Sequence, residues 1–307
     1  VWTLGSGAFL GWSLGANDSA NIFGTSVMTG LIKYRTAILL TAVFVIVGAL
    51  LEGPKCMRVM NDLSRIPAGY VFFCTLAAAL TMTALTVLGI PASTSQAIVG
   101  AVLGAGIVTG NADFSKLYKI VSCWVLTPVA GLVLGYLLHH LLGFLLNRTV
   151  TGVAARNMLF TAGVLVFGCY ASYCLGANNV ANVTGIYVGS GLLTPQQASS
   201  WGGAFIAVGV LTYSRRVMLT VGKGIVPLDP FSALVCLLAE ALTLHLFTQI
   251  GVPVSSSQAV VGAVVGVGLV SDLKTVNPRM LLKIFMGWVL TPVSAGVVTV
   301  VFLKLLV

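Results

Sequence analysis

Two polar stretches set in apolar sequence each occur twice in this chain, and that repetition restricts the available folds more than any other feature. Gly15 to Asn21 reads GANDSAN, and Gly176 to Asn182 reads GANNVAN. Pro91 to Gly104 (PASTSQAIVGAVLG) returns as Pro253 to Gly266 (PVSSSQAVVGAVVG), and Trp124 to Val129 (WVLTPV) returns unchanged as Trp288 to Val293. The copies lie 161, 162 and 164 residues apart in a chain of 307. The chain is therefore a tandem duplication, divided here into repeats at 1–150 and 151–307. Polar residues shared by both copies are the pattern of a site assembled at the seam between two halves.

The medium follows from composition. Hydrophobic residues make up 58% and charged residues only 7%, with mean hydropathy +1.04, whereas soluble domains carry about 25% charged residues. Runs such as Thr36 to Leu51, Ala68 to Gly89, Val129 to Leu146 and Phe231 to Ile250 approach the roughly 20 residues a helix needs to cross the hydrocarbon layer. In lipid the backbone must satisfy its own hydrogen bonds, so these runs are helices of an all-α integral membrane protein. Each copy reads as five transmembrane or re-entrant segments: 1–31 (interrupted at GANDSAN), 35–52, 67–89, 91–109 and 115–147, then 157–192, 196–212, 229–250, 253–270 and 274–306. An odd number of crossings per copy forces the second copy to insert upside down, giving two inverted repeats with broken helices at the midplane.

The polar stretches at 53–66 and 213–229 are the largest connections between these segments. The formal charge of +9 belongs mostly to short connections, as membrane orientation requires, and excludes nucleic acid as the partner. The six cysteines lack metal-type spacing and read as buried reduced thiols.

The chemistry is confined to few residues. Of seven acidic side chains, only Asp18, Glu52 and Glu240 lie within or beside apolar segments, where ionisable groups are costly and functional by default. Asp18 sits among Asn17, Ser19 and Asn21, with Gly15 and Gly24 nearby, where a helix can open. Unwound carbonyls, amide oxygens and one carboxylate form a cage for a small hard cation. Asn178 and Asn182 repeat that pattern in the second copy. The PASTSQ and PVSSSQ stretches read as breaks followed by a helix with Pro91 or Pro253 in its first turn. Ser93, Thr94 and Ser95, with Ser255, Ser256 and Ser257, then bring hydroxyls to helix N-termini, which favour anions; plain N-capping by serine is the alternative reading. Two such termini from opposed repeats would grip a tetrahedral oxyanion from both sides. Glu240 lies five residues before His245 and reads either as a proton-sensitive group or as half of an internal pair; Glu52, beside Lys55, reads as proton-sensitive or as a solvated interfacial carboxylate. With no nucleophile–base pair and no metal cluster near Asp18, the chain is not read as an enzyme.

On these residues the chain resembles the inorganic phosphate transporter (PiT) family, marked by a GANDxAN stretch near the start of each half. The resemblance covers essentially all of the chain. It implies secondary active symport of inorganic phosphate coupled to sodium or protons, no cofactor, a homodimer, and a multi-pass protein of the cell membrane. On matching positions it points to Asn17, Asp18, Asn21, Asn178, Asn179 and Asn182, together with the serine, threonine and glutamine residues at 93–96 and 255–258. Cation ligation, by sodium if sodium is the coupling ion, is assigned to Asn17, Asp18, Asn21, Gln96, Asn178, Asn182 and Gln258. Substrate binding is assigned to Asp18, Asn179 and the two hydroxyl triplets. One departure matters: the family's second aspartate is Asn179 here. A buried carboxylate accepts the O–H of monohydrogen phosphate and repels sulfate, so losing one leaves phosphate first, with sulfate or a related oxyanion second. A passive anion channel lined by the same helix termini is the alternative of another class.

Overall fold

The computed structural model describes residues 3–28, 30–63, 66–88, 92–110, 114–224, 228–271 and 278–306. Among them are ten α-helices and no strand: α1 (Thr3–Met28), α2 (Tyr34–Leu63), α3 (Ala68–Val87), α4 (Thr94–Thr109), α5 (Phe114–Thr149), α6 (Val153–Gly189), α7 (Pro195–Gly224), α8 (Pro230–Ile250), α9 (Ser256–Ser271) and α10 (Pro278–Leu306). Five fall in each copy. Six described helices are long and apolar enough to span a bilayer, while α4 and α9 are short apolar helices. The chain is a multi-pass membrane protein.

Local chemistry sets the helix ends. Ser93 caps α4, and its side chain accepts from the Gln96 N–H. Asp229 caps α8 through the N–H groups of Phe231 and Ser232, with Pro230 in the first turn. Thr194 and Gln197 close a reciprocal capping box at the start of α7, at 3.3 and 3.0 Å. Gly110 and Gly251 end α4 and α8 in the left-handed region, at φ 72° and 79°, where an L side chain would be strained.

Two sequence expectations are corrected. GANDSAN does not interrupt α1, and GANNVAN does not interrupt α6; both helices run through. Gly15 serves close packing instead, since a Cβ there would run into the carbonyl oxygen of Ile206 on α7; Gly176 meets Val45 on α2 in the same way. The stretches at 53–66 and 213–229 are also largely helical, because α2 continues to Leu63 and α7 to Gly224. Loss of apolarity marks where lipid ends, not where a helix must stop. Pro54, inside α2, is accommodated as prolines in packed membrane helices are.

The strongest packing runs between the halves: α1 against α7, α2 against α6, α4 against α10 and α5 against α9. Close approaches come in reciprocal pairs. Gly15–Ile206 is matched by Val45–Gly176, and Gly100 against the Pro292 carbonyl by Gly262 against the Pro128 carbonyl. Such exchange of roles is what a two-fold relation between halves produces. Large apolar side chains such as Leu51, Val125, Leu126, Val293 and Val297 face outward, while Asn17, Asp18, Asn178, Asn179, Asn182 and Glu240 are buried. An apolar exterior suits lipid as solvent, and the few polar groups held within an otherwise apolar core are of the kind that mark functional positions in membrane helices. All six cysteines are free thiols.

Candidate functional site

Two breaks, between α3 and α4 and between α8 and α9, place the site. Pro91, expected in the first turn after the first break, lies outside the described residues; Pro253 precedes α9. Ser93 and Ser255 are the two caps: their side chains accept from the N–H groups of Gln96 (3.4 Å) and Gln258 (3.3 Å). The capping reading therefore holds for the first hydroxyl of each triplet. The second and third behave differently. Ser257 donates to the Ala92 carbonyl at 3.1 Å, and Asn21 Nδ2 reaches Ser257 Oγ at 3.5 Å. The start of α9 is thus tied to the residues just before α4, with α1 alongside. Ser95 pairs with Ser93 at 3.0 Å. Ser256 lies near the Asp18 carboxylate, and among the described residues its hydroxyl makes no hydrogen bond. Both serine-rich starts and the carboxylate occupy one region.

The asparagines divide into two kinds. Asn178 on α6 is a brace: its Nδ2 donates to Thr248 Oγ1 (3.0 Å) and to the carbonyls of Val252 (3.2 Å) and Leu244 (3.4 Å), and its oxygen accepts from the Val254 N–H at 2.8 Å. It satisfies the backbone that the α8–α9 break leaves open, as buried backbone groups require. Asn17 does the matching thing in the first half, donating to Thr86 Oγ1 at 2.7 Å. Both were expected as cation ligands; with its oxygen already accepting a backbone N–H, Asn178 holds the break in shape. Thr86 and Thr248, on α3 and α8, are the partners sequence reading missed. They stand at equivalent places in the two copies, which was their only signal.

Other polar atoms of the same stretches have no protein partner among the described residues. Among the described residues, Asp18 Oδ1, Thr94 Oγ1, Gln96 Oε1, Asn179 Nδ2, Asn182 Oδ1 and Gln258 Oε1 are buried and make no hydrogen bond. Asn182 Nδ2 donates to Asn179 Oδ1 at 2.9 Å, which orients the Asn179 amide. Buried polar atoms left open cost about 1–3 kcal/mol each, and native structures hold few of them. With Ser19 Oγ and Ser256 Oγ, eight such atoms fall in the duplicated GAN and serine-rich stretches, the pattern expected of a place that takes polar ligands. Oxygens of Asp18, Asn182, Gln96 and Gln258 suit a small hard cation; the Thr94 and Ser256 hydroxyls, the Asn179 amide and the N-terminal turns of α4 and α9 suit an oxyanion. A cation cage here would rest on side chains alone, because α1 and α6 keep their carbonyls in helical pairs.

The other two carboxylates lie apart from these contacts. Glu52 is engaged by Lys55 at 2.6 Å, by Gln249 at 3.2 Å and by His245 at 3.5 Å. His245, which also meets the Tyr170 hydroxyl at 2.8 Å, therefore pairs with Glu52 and not with Glu240; the expected internal Glu240–His245 pair is absent. A cavity of about 650 Å³ opens beside this cluster, lined by Lys55, Arg58, Gln196, Gln249 and Gly251, at the end of α8. Glu240 is wholly buried and neither oxygen has a partner.

Comparison with known proteins agrees with this geometry. Over 92% of its length the chain is 28% identical to the sulfate permease CysP of Bacillus subtilis, covering 81% of that protein. It is 26% identical over 99% of its length to the chloroplastic inorganic phosphate transporter 2-1 of Arabidopsis thaliana, covering 72% of it. Its fold is similar to a solved structure described as the sodium-dependent phosphate transporter, with a TM-score of 0.85 at 22% identity over 100% of this chain and 99% of that one. The model of the phosphate transporter family matches residues 14–299. A match over nearly the whole chain, both duplicated motifs included, makes this protein a member of the phosphate transporter family.

Proposed function

We propose that the protein is a cation-coupled symporter of inorganic phosphate in the cell membrane, built from two mutually inverted repeats at 1–150 and 151–307. The observation that carries this reading is the meeting of the two helix starts: Ser257 is bonded to Ala92 while Ser256 faces Asp18. Thr94, Ser256, Asn179 and the first turns of α4 and α9 hold the anion. Asp18 does two things. It accepts the O–H of monohydrogen phosphate, and with Asn21, Asn182, Gln96 and Gln258 it binds the driving cation. Cation and anion together leave the loaded site nearly neutral, so the halves rock around it; the anion alone resists that movement, and coupling follows from shared electrostatics. The cavity bearing Lys55 and Arg58 provides a basic entrance that concentrates anions.

Sulfate is the second reading, favoured by one observation. At the position matching Asp18 the second half presents a free amide donor, Asn179 Nδ2, which serves a fully deprotonated oxyanion as well as it serves phosphate. The test is uptake of labelled phosphate by proteoliposomes, with sulfate as competitor, with and without sodium and a pH gradient. Gradient-dependent phosphate uptake that disappears in Asp18→Asn, with insertion retained, is expected. Undiminished uptake by that variant would refute the role of Asp18, and uptake indifferent to both gradients would indicate a channel.

A further inference from the structure

Glu240 is a carboxylate that the site described above does not use. It lies on α8 with no exposed surface, and neither oxygen meets a donor among the described residues. The groups facing it from the surrounding helices supply no counter-charge. Asp18 on α1 interacts with it as another acid. Cys174 on α6 and Cys236 on its own helix are the thiols within electrostatic reach. From α5, Leu134, Leu138 and Leu142 pack around this part of α8, and α9 carries no titratable residue. The charges α2 brings, Glu52 and Lys55, are engaged with His245 and Gln249.

The duplication shows that the fold does not require an acid at this place. Thr86 and Thr248 register α3 against α8, and in that register the counterpart of Glu240 is Ala78, equally buried. The second half thus has an amide where the first has Asp18, and an acid where the first has alanine. A lone carboxylate buried among apolar groups costs several kcal/mol when charged. Sodium would require several further oxygen ligands around it, and among the described residues none hydrogen-bonds to this carboxylate. A proton needs only the carboxylate.

We propose that Glu240 is a proton-binding site of the transport cycle. Its carboxylate takes a proton from the side to which the loaded site is open, crosses with the anion as the neutral acid, and returns the proton on the other side. This makes the chain a proton-coupled carrier with its second acid on α8 instead of α6, and it rests on the symport reading above.

The experiment compares the full-length protein with Glu240→Gln in proteoliposomes by two measurements: exchange of labelled phosphate at equal concentrations on both sides, and accumulation on a one-unit pH gradient with the membrane potential clamped. One proton per anion gives the unsubstituted protein accumulation of up to about tenfold, whereas Glu240→Gln should stay near equal concentrations while exchanging within about threefold of normal. Exchange needs no net proton movement, so its survival also shows that the variant folds and binds. Accumulation by Glu240→Gln equal to the unsubstituted protein would overturn the assignment, as would loss of exchange together with accumulation. Indifference of the unsubstituted protein to the pH gradient while it still exchanges phosphate would overturn it too. Failure of that protein to exchange either phosphate or sulfate would instead remove the symport reading on which the assignment rests.

Discussion

Asp18 and its counterpart in the second copy offer different chemistry. The carboxylate lies near Ser256 at the start of α9, while the amide at the equivalent place, Asn179, keeps an unpaired donor. In the proposed mechanism that difference of one proton-bearing group is the lever on selectivity. Replacing Asn179 by Asp restores a second acceptor for a phosphate O–H and adds a charge that opposes sulfate. A hydrogen bond to a charged group contributes about 1.5–3 kcal/mol, so sulfate should become about 10- to 100-fold weaker as a competitor of phosphate uptake. An unchanged inhibition constant would place Asn179 away from the anion. Asn178 makes a different prediction, because its bonds to Thr248, Val252, Leu244 and Val254 stabilise the α8–α9 break. Asn178→Ala leaves buried backbone groups open at about 1–3 kcal/mol each, so a clearly lower midpoint of thermal unfolding is expected. The GAN motif singled out both asparagines, but it did not separate the one that braces the break from the one with an open donor. The bonding partner, Thr248, lies 70 residues away and looks like any threonine in an apolar helix.

Helices gave up their number and approximate places to hydropathy, since ten apolar segments and ten described helices coincide. Their ends and continuity were less legible. Glycine and asparagine in GANDSAN suggested an opening, yet α1 passes straight through because Gly15 admits the backbone of α7. Whether a glycine is present for flexibility or for close approach depends on a neighbouring helix nearly 200 residues on, which local sequence does not show. The same contact supplies a test. Gly15→Val or Gly176→Val drives a side chain into the carbonyl of Ile206 or Val45. Overpacking of this kind costs about 1–3 kcal/mol or more, and the reciprocal contacts predict similar losses for the two variants in thermal unfolding. A large loss at one position and none at the other would contradict the proposed two-fold relation of α1–α7 and α6–α2.

The whole molecule is organised so that neither half completes anything alone. Each copy packs its helices mainly against the other, and each supplies one capped helix start to the same buried region. The duplication announced this seam in the sequence. The departures from symmetry are an acid on α1, an amide on α6 and a second acid on α8, and the proposed mechanism assigns the chemistry to them. The most direct test of a shared site is equilibrium binding of labelled phosphate to the purified protein, beside Thr94→Ala and Ser256→Ala, one change in each half. One anion per chain is expected, with either substitution weakening that single site about 10- to 100-fold, as loss of a hydrogen bond to a charged ligand does. Two anions per chain, with each substitution removing one and sparing the other, would contradict the account.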